Sequence, residues 1–426
     1  MMQAWRYRSG LLGALLLLPV GPALASKVEV SPGDNLQAVI SAAAAGDVLE
    51  LQAGVYDGPV HVDRPLTLKG GPGVVVDGHG QGRTVEVTSP SVIVDHLVVR
   101  NSGRSLDRMD AGIFLDQAAV NAVVRNNTME DNLVGVYVHG APGALVQGNR
   151  ISGWIAPNLN DSGNGVYVWN APGAKILDNN ITGGRDGIFV NVSRQNVFSG
   201  NQMRGVRIAI HYMYANNSEV SNNVSIGNHD GYVIMFSDHL TVRDNASFGD
   251  RDHGMLFNYA NDSQIEGNAV RGGDQCVFIY NANKNRFAHN WFERCSIGVH
   301  FTAGSERNVM TNNAFISNRT QVKYVGTRNL EWSEGGRGNY WSDNPAFDLR
   351  GHGVADLAYR PNDLVDQVVW RYPAAKLLLN SPAVQVLRLA QSAFPNLHPG
   401  GVVDSFPLMK PPDVPTAHSS AFERSD

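Results

Sequence analysis

The chain has 426 residues, 43% of them hydrophobic and only 17% charged, with 45 Gly and 39 Asn. The apolar content excludes an intrinsically disordered chain, and the Gly and Asn excess argues against a helix bundle, since both are weak helix formers. A net charge of -5 disfavours nucleic acid as a partner, because phosphate binding needs clustered Lys and Arg, and two cysteines cannot form a disulfide framework or a four-cysteine zinc site.

Residues 1–25 read as a secretory signal peptide. Arg6 and Arg8 supply the positive front, Leu11 to Val20 a short apolar run, and Ala23-Leu24-Ala25 a cleavage site. No later segment is apolar for the ~18–20 residues that a spanning helix needs. The expectation is an exported, periplasmic protein with no membrane span of its own. Asp34 and Gln37 make a capping-box-like start for a short helix from Leu36 to Ala45, placed over the end of whatever follows. The apolar runs starting at Val48, Val60, Leu66 and Val74 then read as strands.

From residue 112 onward the chain repeats. A small residue followed by alternating apolar positions recurs at Gly112, Gly135, Gly165, Gly187, Ala209, Gly231, Gly254, Cys276, Gly298 and Gln321. The steps are 22 or 23 residues except for one of 30, where residues 153–164, Trp154 among them, add a loop. In step with it, an apolar residue precedes Asn by three positions, from Val124/Asn127 to Val309/Asn312. Short β-runs punctuated by Gly and Asn at this period predict a right-handed parallel β-helix, whose coils bury their inward faces only by stacking. The Asn column reads as a structural ladder, with Asn also suited to left-handed corners.

The predicted domains are the signal peptide 1–25, a capped β-helix over 26–326, a C-terminal extension over 327–410, and an unordered tail from 411 to 426. Within the extension, Pro373 to Phe394 reads as helical, broken or kinked at Pro382. It serves either as a cap on the solenoid or as a docking element.

Alternation assigns the faces. One outward column reads Phe114, Tyr137, Tyr167, Phe189, His211, Val233, Leu256, Phe278, His300, Lys323, and the next includes Asp116, His139, Trp169, Met213 and Met235. So aromatic an outer face is either covered by the C-terminal segment or left as a binding groove. His211, Met213 and Met235 share it, and imidazole with thioethers suits Cu(I). The alternative is methionine as adaptable packing. Met255 faces inward, so His253 and Met255 form no such pair. Cys276 and Cys295 are 19 residues apart, out of phase with the coil, so no disulfide is expected. They are buried thiols or extra soft ligands.

Parallel β-helices also carry epimerases and lyases acting on acidic polysaccharides, and an enzyme of that kind is the rival class. It needs clustered carboxylates beside a base. Asp186, Asp230, Asp250, Asp252 and His253 sit at corners, where Asp commonly forms turns. Asp116 and Lys323 lie far apart on the outward face. Asp348 to Asp356 reads as a solvated turn with too few carboxylates for Ca²⁺.

The chain resembles the NosD family, the periplasmic maturation proteins of nitrous-oxide reductase. The likeness rests on Gly184-Arg-Asp-Gly-Ile188, Ile210-His-Tyr-Met-Tyr-Ala215, Gly298-Val-His-Phe-Thr-Ala-Gly-Ser-Glu306, Gly336-Arg-Gly-Asn-Tyr-Trp-Ser-Asp343 and Asp404-Ser-Phe-Pro-Leu-Met409. It spans nearly the whole mature chain, including the non-repeat extension. The resemblance implies a non-enzymatic role beside an ABC-type permease and its ATPase, in building the copper-sulfur centre of nitrous-oxide reductase. It further implies contact with the reductase or a copper chaperone. It identifies no metal ligands, and His352 stands where related loops tend to carry Asp.

Overall fold

The computed structural model describes residues 25–302, 304–326, 328–379, 381–393 and 400–413. The proposed signal peptide up to residue 24 and the tail from 414 lie outside them. Three parallel sheets of 13, 12 and 13 strands run side by side along the molecule, and in each the strands follow in chain order. Successive coils supply one strand to each sheet, so the chain is a parallel β-solenoid, as the period predicts.

The inward stacks make the core. In the second sheet Val85, Ile113, Val136, Val166, Ile188, Ile210, Tyr232, Met255, Val277, Val299 and Val322 are register partners in turn. All are almost wholly buried. Each β-run is too short to bury such a face alone, so the stacking is the fold.

The Asn ladder is present, with one change of register. Asn127, Asn149, Asn179, Asn201, Asn223, Asn245, Asn268 and Asn290 each donate from Nδ2 to the next member's Oδ1, at 2.9–3.2 Å. The ninth member is Asn313, not Asn312. The coil there is one residue longer, and Met310 rather than Val309 takes the inward position. Nor do the ladder residues turn the corner themselves. The left-handed residue is the one before, such as Asn126, Asp178, Asn222, Asp244, His289 and Asn312, all with φ of 53–55°.

The first helix, α1 (Leu36–Ala42), covers the starting coil with Leu36 and Ile40. Its cap is Asn35, whose side chain accepts from Ala38 N; Asp34 instead accepts from Ser31 N. At the other end Trp332 and Trp341 lie flat on the last core aromatic, with Phe315 and Trp341 centroids 4.2 Å apart. The extension then runs across the end of the solenoid, with Tyr359 on Trp341 and Asn362 Nδ2 donating to Val322 O. A helix not anticipated from sequence, α2 (Leu364–Arg371), starts at a capping box made by Asp363 and Asp366. After a 3₁₀ turn at Pro373–Leu378 comes α3 (Pro382–Ala393). Pro382 begins α3 and does not kink it, because a helix's first turn needs no N–H from it. The strand Gly401–Val403 returns to pair with Asn329–Glu331.

Cys276 and Cys295 form a disulfide, with Cα atoms 5.7 Å apart, contrary to the expectation from their spacing. The corner after each strand of the third sheet recurs at Asp250, Gly273 and Cys295 in successive coils. Cys276 lies three residues past Gly273, where other coils carry Gly254 or Gly298. A separation of 19 is therefore one coil less those three residues, which brings the sulfurs together across adjacent coils. Both residues are buried.

Candidate metal centre

The outward column of the second sheet is as the alternation predicts, from Phe114 through His211 to Lys323. Its first coils are covered. Phe114 and Tyr137 pack with Leu133 and Val134 beneath Met109 and Trp154, the latter from the inserted loop. Its last coil borders α2, where Lys323 and Thr320 face Asp366, Val369 and Trp370. Between these ends His211, Leu256, Phe278 and His300 keep some exposure while Val233 is buried, and no described part of the C-terminal segment covers them.

His211 lies in the open stretch, on the strand Ile208–Met213, with its ring 4.8 Å from that of Phe189. Its Nδ1 donates to Asp186 Oδ2 at 3.2 Å. Asp186 has no exposed surface, and Arg207 grips both its oxygens at 2.8 and 2.7 Å. Burial opposes the carboxylate's charge, but the hydrogen bonds from His211 and Arg207 outweigh it and hold its pKa below the usual range. With Nδ1 carrying the proton, the ring's Nε2 keeps its lone pair, the form in which imidazole binds a metal.

Met213 and Met235 are direct register partners on adjacent strands, about 4.8 Å apart along the stack. Both are half-buried and on the same face as His211. The structure thus brings the three sequence-predicted residues onto one partly exposed patch, with 13% of the His211 side chain exposed. Met255 points into the core, as expected, and is fully buried.

Other candidates are occupied. The cysteines are oxidised and supply no thiolate. Asp250 is buried, accepts from Ser225 and Ser247 at 2.6 Å, and has a raised pKa, chiefly from burial. Asp230 accepts from His253 Nδ1 at 2.7 Å. Asp348, His352 and Asp356 approach one another, yet Asp348 already accepts from Gly351 N and Gly353 N at 2.7 Å, closing its own turn. The orienting roles of Asp186 and Asp230 escape a reading that treats corner Asp as turn formers. The legible signal is spacing, since each precedes its histidine by one coil and up to three residues.

Residues 153–346 match the model of NosD, described as a periplasmic copper-binding protein. A protein of Stutzerimonas stutzeri named probable ABC transporter binding protein NosD is 41% identical over 85% of this chain and 86% of its own length. One of Pseudomonas aeruginosa with the same name is 40% identical over 95% of this chain and 96% of its own. The chain belongs to the NosD family. Among solved structures, the A-module of the mannuronan C-5 epimerase AlgE6 from Azotobacter vinelandii superposes with a TM-score of 0.54 at 14% identity. That match covers 70% of this chain and 93% of the module, and it shows a shared solenoid only. The family is periplasmic, and no helix among the described residues is long and apolar enough to cross a membrane.

Proposed function

We propose that this NosD-family chain is an exported accessory protein that assembles the copper-sulfur centre of nitrous-oxide reductase, beside an ABC transporter and without turnover of its own. The observation that carries it is the His211 ring, set by a buried carboxylate so that Nε2 is bare, on the same open face as the Met213–Met235 pair. An imidazole with two thioethers is a soft donor set that takes Cu(I) in preference to Mg²⁺ or Ca²⁺. Copper here is cargo, passed on to the reductase or received from a copper chaperone. The permease is met through the C-terminal hairpin formed by α2, the 3₁₀ turn and α3, where Leu377 is 90% exposed and Val386 66% exposed. Residues 1–25 direct export to the periplasm and are then removed by cleavage.

Cu(I) titration of the wild type against a His211→Ala, Met213→Leu variant tests the site. The expected result is a weaker complex in the variant; equal affinities remove these residues from it.

A further inference from the structure

His211 is one of three imidazoles with a similar hold, although His253 stands in the register column of its own acceptor, three residues before the column that His211 and His300 share. His253 and His300 also lie on the outer side of the second sheet, in strands His253–Asn258 and Ile297–Thr302. Nδ1 of each ring meets an acceptor from an earlier coil: Asp186 at 3.2 Å, Asp230 at 2.7 Å and Gln275 at 3.0 Å. Asp186, Asp230 and Gln275 belong to one register column at the edge of the sheet. Each acceptor selects the tautomer with a bare Nε2, and none of the three Nε2 atoms has a hydrogen-bond partner among the described residues. This is not what the sheet imposes on any histidine. His139, on the same face, has a buried Nδ1 without a partner.

The three strands alternate with strands that carry no outward histidine, so the rings recur every second coil, about 10 Å apart along the axis. One ion cannot bridge that gap, so the rings are separate stations. Phe278 lies between the later two, with centroids 5.6 Å from His253 and 4.9 Å from His300. The row runs from the thioether pair to the coil beside Lys323, where α2 begins to wall the face. Burial, and then the charge of Lys323, pushes the pKa of His300 down to about 4, so this ring is neutral at periplasmic pH. Metal binding needs the neutral ring.

We propose that His253 and His300 are two further binding stations for Cu(I), which with His211 form a track along the outer face from the Met213–Met235 pair to the C-terminal hairpin. It rests on the copper reading above and adds residues and a direction to it. The ion moves as Cu(I) by ligand exchange, so no electron or proton is transferred. A lone imidazole holds it weakly, with the remaining position filled by solvent or an incoming partner's donor, and weak binding suits a path more than a store.

The test uses the full chain with ¹⁵N-labelled histidine, titrated anaerobically with Cu(I) and read by long-range ¹H–¹⁵N spectra of the rings. Before metal, all three rings should show a protonated Nδ1 and a bare Nε2. Cu(I) should first move Nε2 of His211, and further additions should move Nε2 of His253 and His300. His253→Gln with His300→Gln should abolish the later two responses and keep the first. An unmoved Nε2 at either His253 or His300 overturns the track, even where His211 responds and the copper site itself stands. Responses at His253 and His300 with His211 silent keep the two stations and sink the thioether site instead.

Discussion

Asp186, without any solvent exposure, stands one coil before His211 and holds that ring's Nδ1 at 3.2 Å while itself clasped by Arg207. The carboxylate does two things at once: it sets the imidazole tautomer and balances a half-buried guanidinium. Asp186→Asn should therefore weaken Cu(I) binding about 10- to 100-fold, the usual cost of losing such an orienting partner. It should also destabilise the fold by about 3–5 kcal/mol, because Arg207 is left without its counter-charge. A Cu(I) competition titration and a denaturant midpoint measure the two effects separately. The pKa of Asp186 is depressed in the folded chain. Its contribution is thus complete above the ordinary carboxylate range and is lost as pH falls through the folded value.

The ladder correction distinguishes two neighbouring residues. Asn313 donates to Asn339 and accepts from Asn290, whereas Asn312 turns the corner at φ 53° and makes side-chain bonds only to Arg337 and Thr311, outside the ladder. Asn313→Ala should cost about 2–4 kcal/mol, since buried donors of Asn290 lose their acceptor. Asn312→Gly should cost no more than about 1 kcal/mol, because glycine adopts that angle freely and the bonds lost to Arg337 and Thr311 lie near the surface. Thermal melts of the two variants read the difference, and equal losses would restore Asn312 to the ladder.

The ladder ends on Asp404. Its Oδ2 accepts from Asn339 N at 2.6 Å and from Trp341 Nε1 at 2.8 Å. Burial outweighs these bonds and pushes its pKa up to about 6. The protonated form is thus the one the fold prefers. That stabilisation is fully present below the unfolded value near 4 and is lost as pH rises through about 6, a swing of roughly 3 kcal/mol. Hydrogen exchange at the Asn339 and Phe406 amides should slow between pH 7 and 5 relative to amides of the middle coils. Asp404→Asn should remove that difference.

The disulfide closes a short loop between adjacent coils. Cys276→Ala with Cys295→Ala should lower stability by about 3 kcal/mol, as expected for a closed loop of this length. Dithiothreitol should lower the melting temperature of the wild type and leave the double variant unchanged.

Val365 and Val369 of α2 are buried, but the turn that follows α2 stays out of the core. Leu377 and Leu378 are 90% and 60% exposed. Leu377→Ser with Leu378→Ser should leave the melting temperature within a degree or two, surface changes being worth about ±0.5 kcal/mol, and abolish capture by the permease in co-purification. Retained capture would make the hairpin a cap only.

The solenoid, its inward columns and the outward aromatic face were all legible, because period 22 and alternation act on every coil alike. What escaped lies where coils differ or where distant segments meet. The extra residue before Met310 moved the ladder from Asn312 to Asn313. The disulfide was hidden because its partners sit on opposite sides of a corner, so a whole-coil period misses them. Asp404 pairs with Asn339 across 65 residues, a distance over which no period runs. At the candidate site, the three side chains were found from their faces. The carboxylate behind His211 was not, since an Asp at a bend reads the same whether it turns the chain or steers a ring.

Hydrogen bonds between coils run along the long axis, so a tug on the hairpin loads them one after another from the C-terminal end. Unravelling that begins there can strip the terminal rungs as far as Cys295, where the covalent link passes the strain to Cys276 in the preceding rung. The loop between the two cysteines then bears no load, and the pull resumes at Cys276, on the side of the rod that leads to His211, Met213 and Met235.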